Sequence, residues 1–139
     1  MVDLSHAVLP PVDLSHANLS NADLSRSDLS SSDLYGADLS GADLNHAFLS
    51  EADLSFTNLR DADLSDAVLQ FDTLQSAKLA DAVLSGVLLQ GADLSGAEGL
   101  EKDQLEQTKS LKGATMPTGQ KYEDWIKDRE SREDYGENK

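Results

Sequence analysis

The 139 residues contain no cysteine, which excludes disulfides, thiolate nucleophiles and cysteine-based zinc sites. Aromatics are scarce, with one Trp, three Tyr and three Phe, and proline occurs only three times. No uninterrupted apolar run approaches the roughly 20 residues that a membrane-spanning helix requires. Met1 leads directly into Val2-Asp3-Leu4 rather than into a signal-peptide pattern, so a cytoplasmic chain that avoids membranes is expected. Positive charge is also short. Eleven Lys and Arg face 26 Asp and Glu, a formal net charge of −15. That balance argues against direct binding to nucleic acid or anionic lipid and leaves basic partners open. The length suits a single domain.

What the sequence has instead is a repeat. Leucine recurs at every fifth position from Leu4 to Leu94, 19 times without a gap. Two residues before it stands a small residue, as at Ala7, Ala22, Ala37, Ala42 and Ala62. The residue just before it is usually Asp or Asn, and the one after is usually Ser, giving Ala-(Asp/Asn)-Leu-Ser-X. A period of five suits neither regular element. In an α-helix five residues turn about 500°, so the leucines would drift about 140° per repeat around the barrel. In a strand successive leucines would alternate faces. A coil that turns a corner every five residues aims each leucine inward, with the small residue beside it. Four such sides close a square, and stacked squares pair edge to edge roughly 4.8 Å apart.

This unit resembles that of the pentapeptide-repeat family, Ala-(Asp/Asn)-Leu-X-X, over residues 2–96. The resemblance implies an all-β fold, a right-handed quadrilateral β-helix of 20 residues per coil and about five coils. The small position departs from pattern at Ser27, Ser32, Thr57 and Asp72, and the charged Asp72 predicts a local distortion around Asp72-Thr73-Leu74.

The phase breaks at Gly99. Residues 101–109 read as a short helix with Leu100, Leu105 and Leu111 on its apolar side, lidding the tube. Ala114-Thr115-Met116-Pro117 then repeats the unit with Met for Leu. Tyr122, Trp125 and Ile126 have the spacing of a short amphipathic helix, packing along the solenoid or binding a partner. The expected divisions are a β-helix at 1–98, a capping helix and partial coil at 99–119, an amphipathic α-helical appendage at 120–133 and a disordered tail at 134–139. The first coil offers an unpaired edge, blunted by Pro10 and Pro11, where two molecules meet or a longer chain continues.

With 20 residues per coil, the residues preceding leucine form four outward columns. One is Asp3, Asp23, Asp43, Asp63 and Val83; another is Asp13, Asp33, Asp53, Thr73 and Asp93; a third is Asn18, Asp38, Asn58 and Lys78. The last differs: Val8, Asp28, Phe48, Val68 and Leu88, with Phe71 at its corner. This apolar stripe is the candidate surface for a protein partner or a homodimer, unless the carboxy-terminal helix covers it. The aspartate columns support an alternative. Residues 2–96 carry 15 acids and three bases. Over roughly 23 Å of tube that is about one net charge per 2 Å, near the roughly 1.7 Å per charge of duplex DNA. The resemblance implies, as that alternative, a DNA mimic that inhibits or protects a type II topoisomerase such as gyrase.

Chemistry of other kinds finds no support. His6 and His46 share a corner with Arg26 between them, and His16 lies elsewhere, so they read as solvated surface residues. No Gly-rich phosphate loop occurs, and a tube filled with Leu and Ala has no concave catalytic pocket. No catalytic residue, metal ligand or cofactor is expected. Serine after leucine reads as turn chemistry, its hydroxyl bonding nearby backbone.

Overall fold

The computed structural model describes residues 2–134 and shows a four-sided coil that rises one level every 20 residues. Sides 1 to 4 of the first coil carry Leu4, Leu9, Leu14 and Leu19, and later coils repeat them. Coil meets coil at single parallel bridges rather than in continuous strands. Asp23 pairs with Asp43, Phe48 with Val68, Asp33 with Asp53 and Asn58 with Lys78. Leucines from Leu24 to Leu94 are buried, as are the alanines two positions before them.

The five-residue unit closes because each of its five amides has a destination. Around Leu44, Ala42 N–H donates to the Leu39 carbonyl at 3.0 Å, Asp43 N–H to Ala22 at 2.9 Å and Leu44 N–H to Asp63 at 2.7 Å. Asn45 N–H donates to the Asp43 carboxylate at 3.0 Å, and His46 N–H to the Ser65 carbonyl at 2.9 Å. Two of these bonds reach the coil above, one reaches the coil below, and two stay within the corner. This accounting of backbone donors is what lets the repeat coils, without helix or continuous strand, bury their leucines.

Every corner from Leu4 to Leu94 except that at Pro11 holds the second residue after leucine at positive φ. Thirteen of those residues are not glycine, with φ between 58° and 62°. Left-handed backbone costs an L-residue roughly 1–2 kcal/mol, so the corners are strained and the stack holds them.

Gly99 stands where a leucine of side 4 is due. Its φ is +83°, and a Cβ there would lie 2.7 Å from the Ala80 amide nitrogen. The chain leaves the stack at this point and forms α1, Lys102–Gln107, shorter than the 101–109 expected. Gln104 fastens α1: its amide donates to the carbonyls of Leu79 and Ala82, while its oxygen accepts from Glu101 N–H at 2.7 Å. Leu100 and Leu105 pack against the end of the leucine column. Stacking then resumes with a step of 22, Leu88 bridging Ser110 and Asp93 bridging Thr115, and Ala114 and Met116 are buried. Helix α2, Tyr122–Asp134, follows. It is tied on by Tyr122 N–H to the Ala114 carbonyl and by the Glu123 carboxylate, which accepts from Gly113 N–H at 3.0 Å. Trp125 and Ile126 face Leu105 and Leu111 across a shallow groove between the helices. Asp134 is helical rather than part of a tail, and the remainder of the segment expected to be disordered lies outside the described residues.

The distortion expected at Asp72 is absent. Phe71 keeps the ordinary corner φ of 61°, and Leu74 N–H donates to Asp93 at 2.7 Å. The carboxyl fits because it points along the stack and accepts Ala52 N–H at 3.0 Å, as the Ser32 hydroxyl accepts Val12 N–H one coil pair earlier. Asp72 is 1% exposed, its second oxygen has no partner, and burial pushes its pKa up to about 9.

Candidate interaction surfaces

The residue before each leucine points outward, and the hydrogen bonds explain why it is usually Asp. Oδ1 of Asp3, Asp13, Asp23, Asp33, Asp43, Asp53 and Asp63 accepts the amide two residues on, at 2.9–3.0 Å. Where that residue is serine, its hydroxyl commonly donates to the same oxygen, as Ser5 does at 2.7 Å and Ser65 at 2.6 Å. Serine therefore bonds the carboxylate rather than the backbone, and the aspartate serves the turn. These bonds to serine hydroxyl and amide hold the carboxyls of Asp3, Asp13, Asp28 and Asp38 below their ordinary range.

The two acid columns are continuous. Asp3, Asp23, Asp43 and Asp63 follow one another on side 1, and Asp13, Asp33 and Asp53 on side 3. Among the described residues the ion pairs are His46–Asp66 and Lys102–Glu106, and neither involves a column aspartate.

The side-2 stripe reads differently in the same terms. Val8, Phe48, Val68 and Leu88 replace the acceptor, and among the described residues the amides of Ser50, Gln70 and Gln90 make no intrachain hydrogen bond, as is also so for Gln75, Ala80 and Ser85 after Thr73, Lys78 and Val83 on the other sides. Pro10, which follows Val8 and Leu9, has no amide hydrogen to satisfy. Val8 is 81% exposed, Phe48 50% and Phe71 65%, while Val68 and Leu88 are half-buried. Helix α2 does not cover them, because it sits at the carboxy-terminal end against α1.

A third surface escaped the column reading. At the corner between sides 3 and 4, His16, Tyr35 and Phe56 form an aromatic ladder. The His16 and Tyr35 rings are 5.6 Å apart and edge-on, and the Tyr35 and Phe56 rings are 5.4 Å apart. His16 is exposed, as the sequence suggests, with its ring edge-on to Tyr35. Corner side chains lean toward the next coil, as His16 does over Gly36 and Phe71 over Gly91, and Tyr35 and Phe56 meet although they hold different places in their units. Among the described residues no cluster of His, Asp and Glu could hold a metal ion, and no helix is long and apolar enough to cross a membrane.

A stacked tube with a leucine interior and a left-handed corner repeated every five residues defines a solenoid repeat protein. The chain belongs to the pentapeptide repeat family: the family model for pentapeptide repeats matches residues 2–34, 11–45, 32–70 and 73–98. No curated protein sequence matches significantly. Among solved structures, a pentapeptide repeat protein of the Arabidopsis thaliana thylakoid lumen is 32% identical with a TM-score of 0.63, covering 88% of this chain and 85% of its own. A pentapeptide repeat protein, Rfr23, of the cyanobacterium Cyanothece 51142 is 31% identical with a TM-score of 0.56, covering 86% of each. QnrB1, a plasmid-mediated fluoroquinolone resistance protein, shares the fold at 16% identity and a TM-score of 0.51, covering 93% of this chain and 83% of its own.

Proposed function

We propose that this chain is a non-enzymatic protein-interaction or scaffold module whose protein partner, a second copy in the simplest case, seats on the side-2 stripe of Val8, Phe48, Val68 and Leu88 with Phe71 at its edge. The observation that carries this reading is the run of apolar residues on one side at positions that are Asp or Asn elsewhere. At Phe48, Val68 and Leu88 an aspartate would satisfy the amide two residues on, as it does elsewhere in the tube. The sequence instead places apolar side chains, exposed at Val8 and Phe48 and half-buried at Val68 and Leu88, where the fold itself favours a carboxylate. Apolar surface that runs from Phe48 to Leu88 at the expense of local bonding, with Val8 set apart by Asp28, is what a partner surface requires.

The test is the double variant Phe48→Asn/Val68→Asn, which restores both acceptors. Its urea midpoint is expected to hold or rise. Its molar mass by light scattering, or its capture of a host protein in a pull-down, is expected to fall to background. Unchanged association in a well-folded variant overturns the assignment.

The acid columns favour a second reading, mimicry of DNA toward a type II topoisomerase such as gyrase. Its support is that, among the described residues, the column carboxylates from Asp3 to Asp63 and from Asp13 to Asp53 each keep one oxygen outside the turn bonds and pair with no cation. The turn role of the same aspartates supplies a structural reason for their number, which ranks this reading second. A gyrase supercoiling assay at graded salt separates the two. Inhibition that fades with salt supports mimicry, and none at micromolar protein removes it.

A further inference from the structure

We propose that the corner between sides 3 and 4, with the His16, Tyr35 and Phe56 rings and the flanking Asp33, Asp53 and Asp38, is a docking site for an arginine-bearing segment of a partner protein. It lies on a different surface from the side-2 stripe and does not depend on it. Tyr35 is 38% exposed and Phe56 55% exposed. Gly36 lets the ladder form, because a Cβ at that position would lie 2.7 Å from His16 Nδ1. On side 3, Asp33 accepts Tyr35 N–H and Asp53 accepts Ser55 N–H, both through Oδ1 at 2.9 Å. On side 4, Asp38 accepts Ser40 N–H in the same way. The second oxygen of each has no intrachain partner among the described residues. Lys78, one coil beyond Asn58 on side 4, bounds the patch.

The rings are not there for the sake of the corner. Phe56 sits at φ 59°, a region where Gly, Asn or Asp is cheaper than an aromatic. Charge complementarity then selects the occupant. Exposed aromatic faces bordered by free carboxylates suit a planar cation that stacks on the rings and forks to a carboxylate. Guanidinium does both. An ammonium offers only a point charge, and a neutral apolar segment would leave the carboxylates idle.

The probe is a fluorescein-labelled (Arg-Gly)5 peptide, with (Lys-Gly)5 as counterpart, titrated by fluorescence anisotropy at physiological salt. The arginine peptide is expected to bind more tightly than the lysine peptide. Tyr35→Ser/Phe56→Asn, which leaves net charge unchanged, is expected to weaken it about tenfold. Asn suits the left-handed corner, and a thermal melt checks that the variant is folded. On the unaltered protein, amide shift mapping with the same peptide is expected to centre on Asp33, Tyr35, Asp53 and Phe56, a readout independent of any variant. Phe48→Asn/Val68→Asn should bind the peptide as the parent does, so failure of the side-2 reading leaves this test intact. Equal affinity for the two peptides, equal binding by the aromatic variant, or shifts spread along the side-1 acids would reduce the site to general charge attraction and overturn the proposal.

Discussion

Asp72 carries the largest electrostatic anomaly in the chain. Its carboxyl occupies a position that is alanine in most repeats, 1% exposed, with one oxygen bonded to Ala52 N–H and the other unpartnered. Burial raises its pKa from 3.8 to about 9, with the neighbouring Glu51 charge pushing the same way against two backbone hydrogen bonds. The folded state therefore holds the group neutral at pH 7 while the unfolded chain ionises it. That difference costs stability of about 4 kcal/mol at neutral pH. Asp72→Ala removes the cost and restores the consensus small residue; the lost bond is minor because Ala52 N–H also donates to Leu49. The expected gain is about 2–3 kcal/mol at pH 7 and about zero at pH 4, read from urea unfolding at the two values. An equal effect at both pH values would place the cause in packing rather than ionisation.

At the scale of the corner and the side, strain and burial set the expectations. Glu51 is exposed at φ 62° on an acidic surface. Asn tolerates that backbone better and carries no charge, so Glu51→Asn should stabilise by about 0.5–1 kcal/mol. Leu44, 1% exposed in the third coil, gives the opposite case. Leu44→Ala should cost about 2–5 kcal/mol, and Leu44→Asp should abolish folding by burying a charge with no partner. Soluble Leu44→Asp protein with unaltered circular dichroism would show that the leucine does not face inward. The inward leucines were legible in the sequence because a fivefold period leaves an apolar column only one place to go. The columns of side 2 followed from the same count. Other features were not legible because they depend on how side chains lean. Tyr35 and Phe56 occupy different places in their units, so a count of twenty does not pair them, and their rings meet only in the folded stack. The step of 22 after α1 depends on how Gln104 seats the helix on Leu79 and Ala82. At Asp72 the sequence shows an ionisable side chain, and only the fold shows that burial neutralises it.

For the whole molecule, these groups combine into one pH profile. A raised carboxyl pKa gives a share of stability that is full below the unfolded value and lost as pH climbs through the folded one, so Asp72 acts from about pH 4 up to about 9. Lowered values act in the other direction. Asp3, Asp13, Asp28 and Asp38 contribute stability that is present above 3.8 and lost as pH falls through their folded values. The net charge of −15, most of it on stacked columns, adds repulsion on the alkaline side that salt screens. The tube should accordingly be most stable near pH 4–5 and decline toward pH 9. Urea midpoints measured at 20 mM and 500 mM NaCl divide the decline into two parts. Salt should flatten the contribution of the exposed columns while leaving that of Asp72, which arises from burial and not from distant charge. In Asp72→Ala at 500 mM NaCl the profile above pH 5 should be level. A level profile in the unaltered protein at 20 mM NaCl would mean that neither the buried carboxyl nor the columns bear on folding, and a persisting slope in the variant at high salt would point to a group other than Asp72.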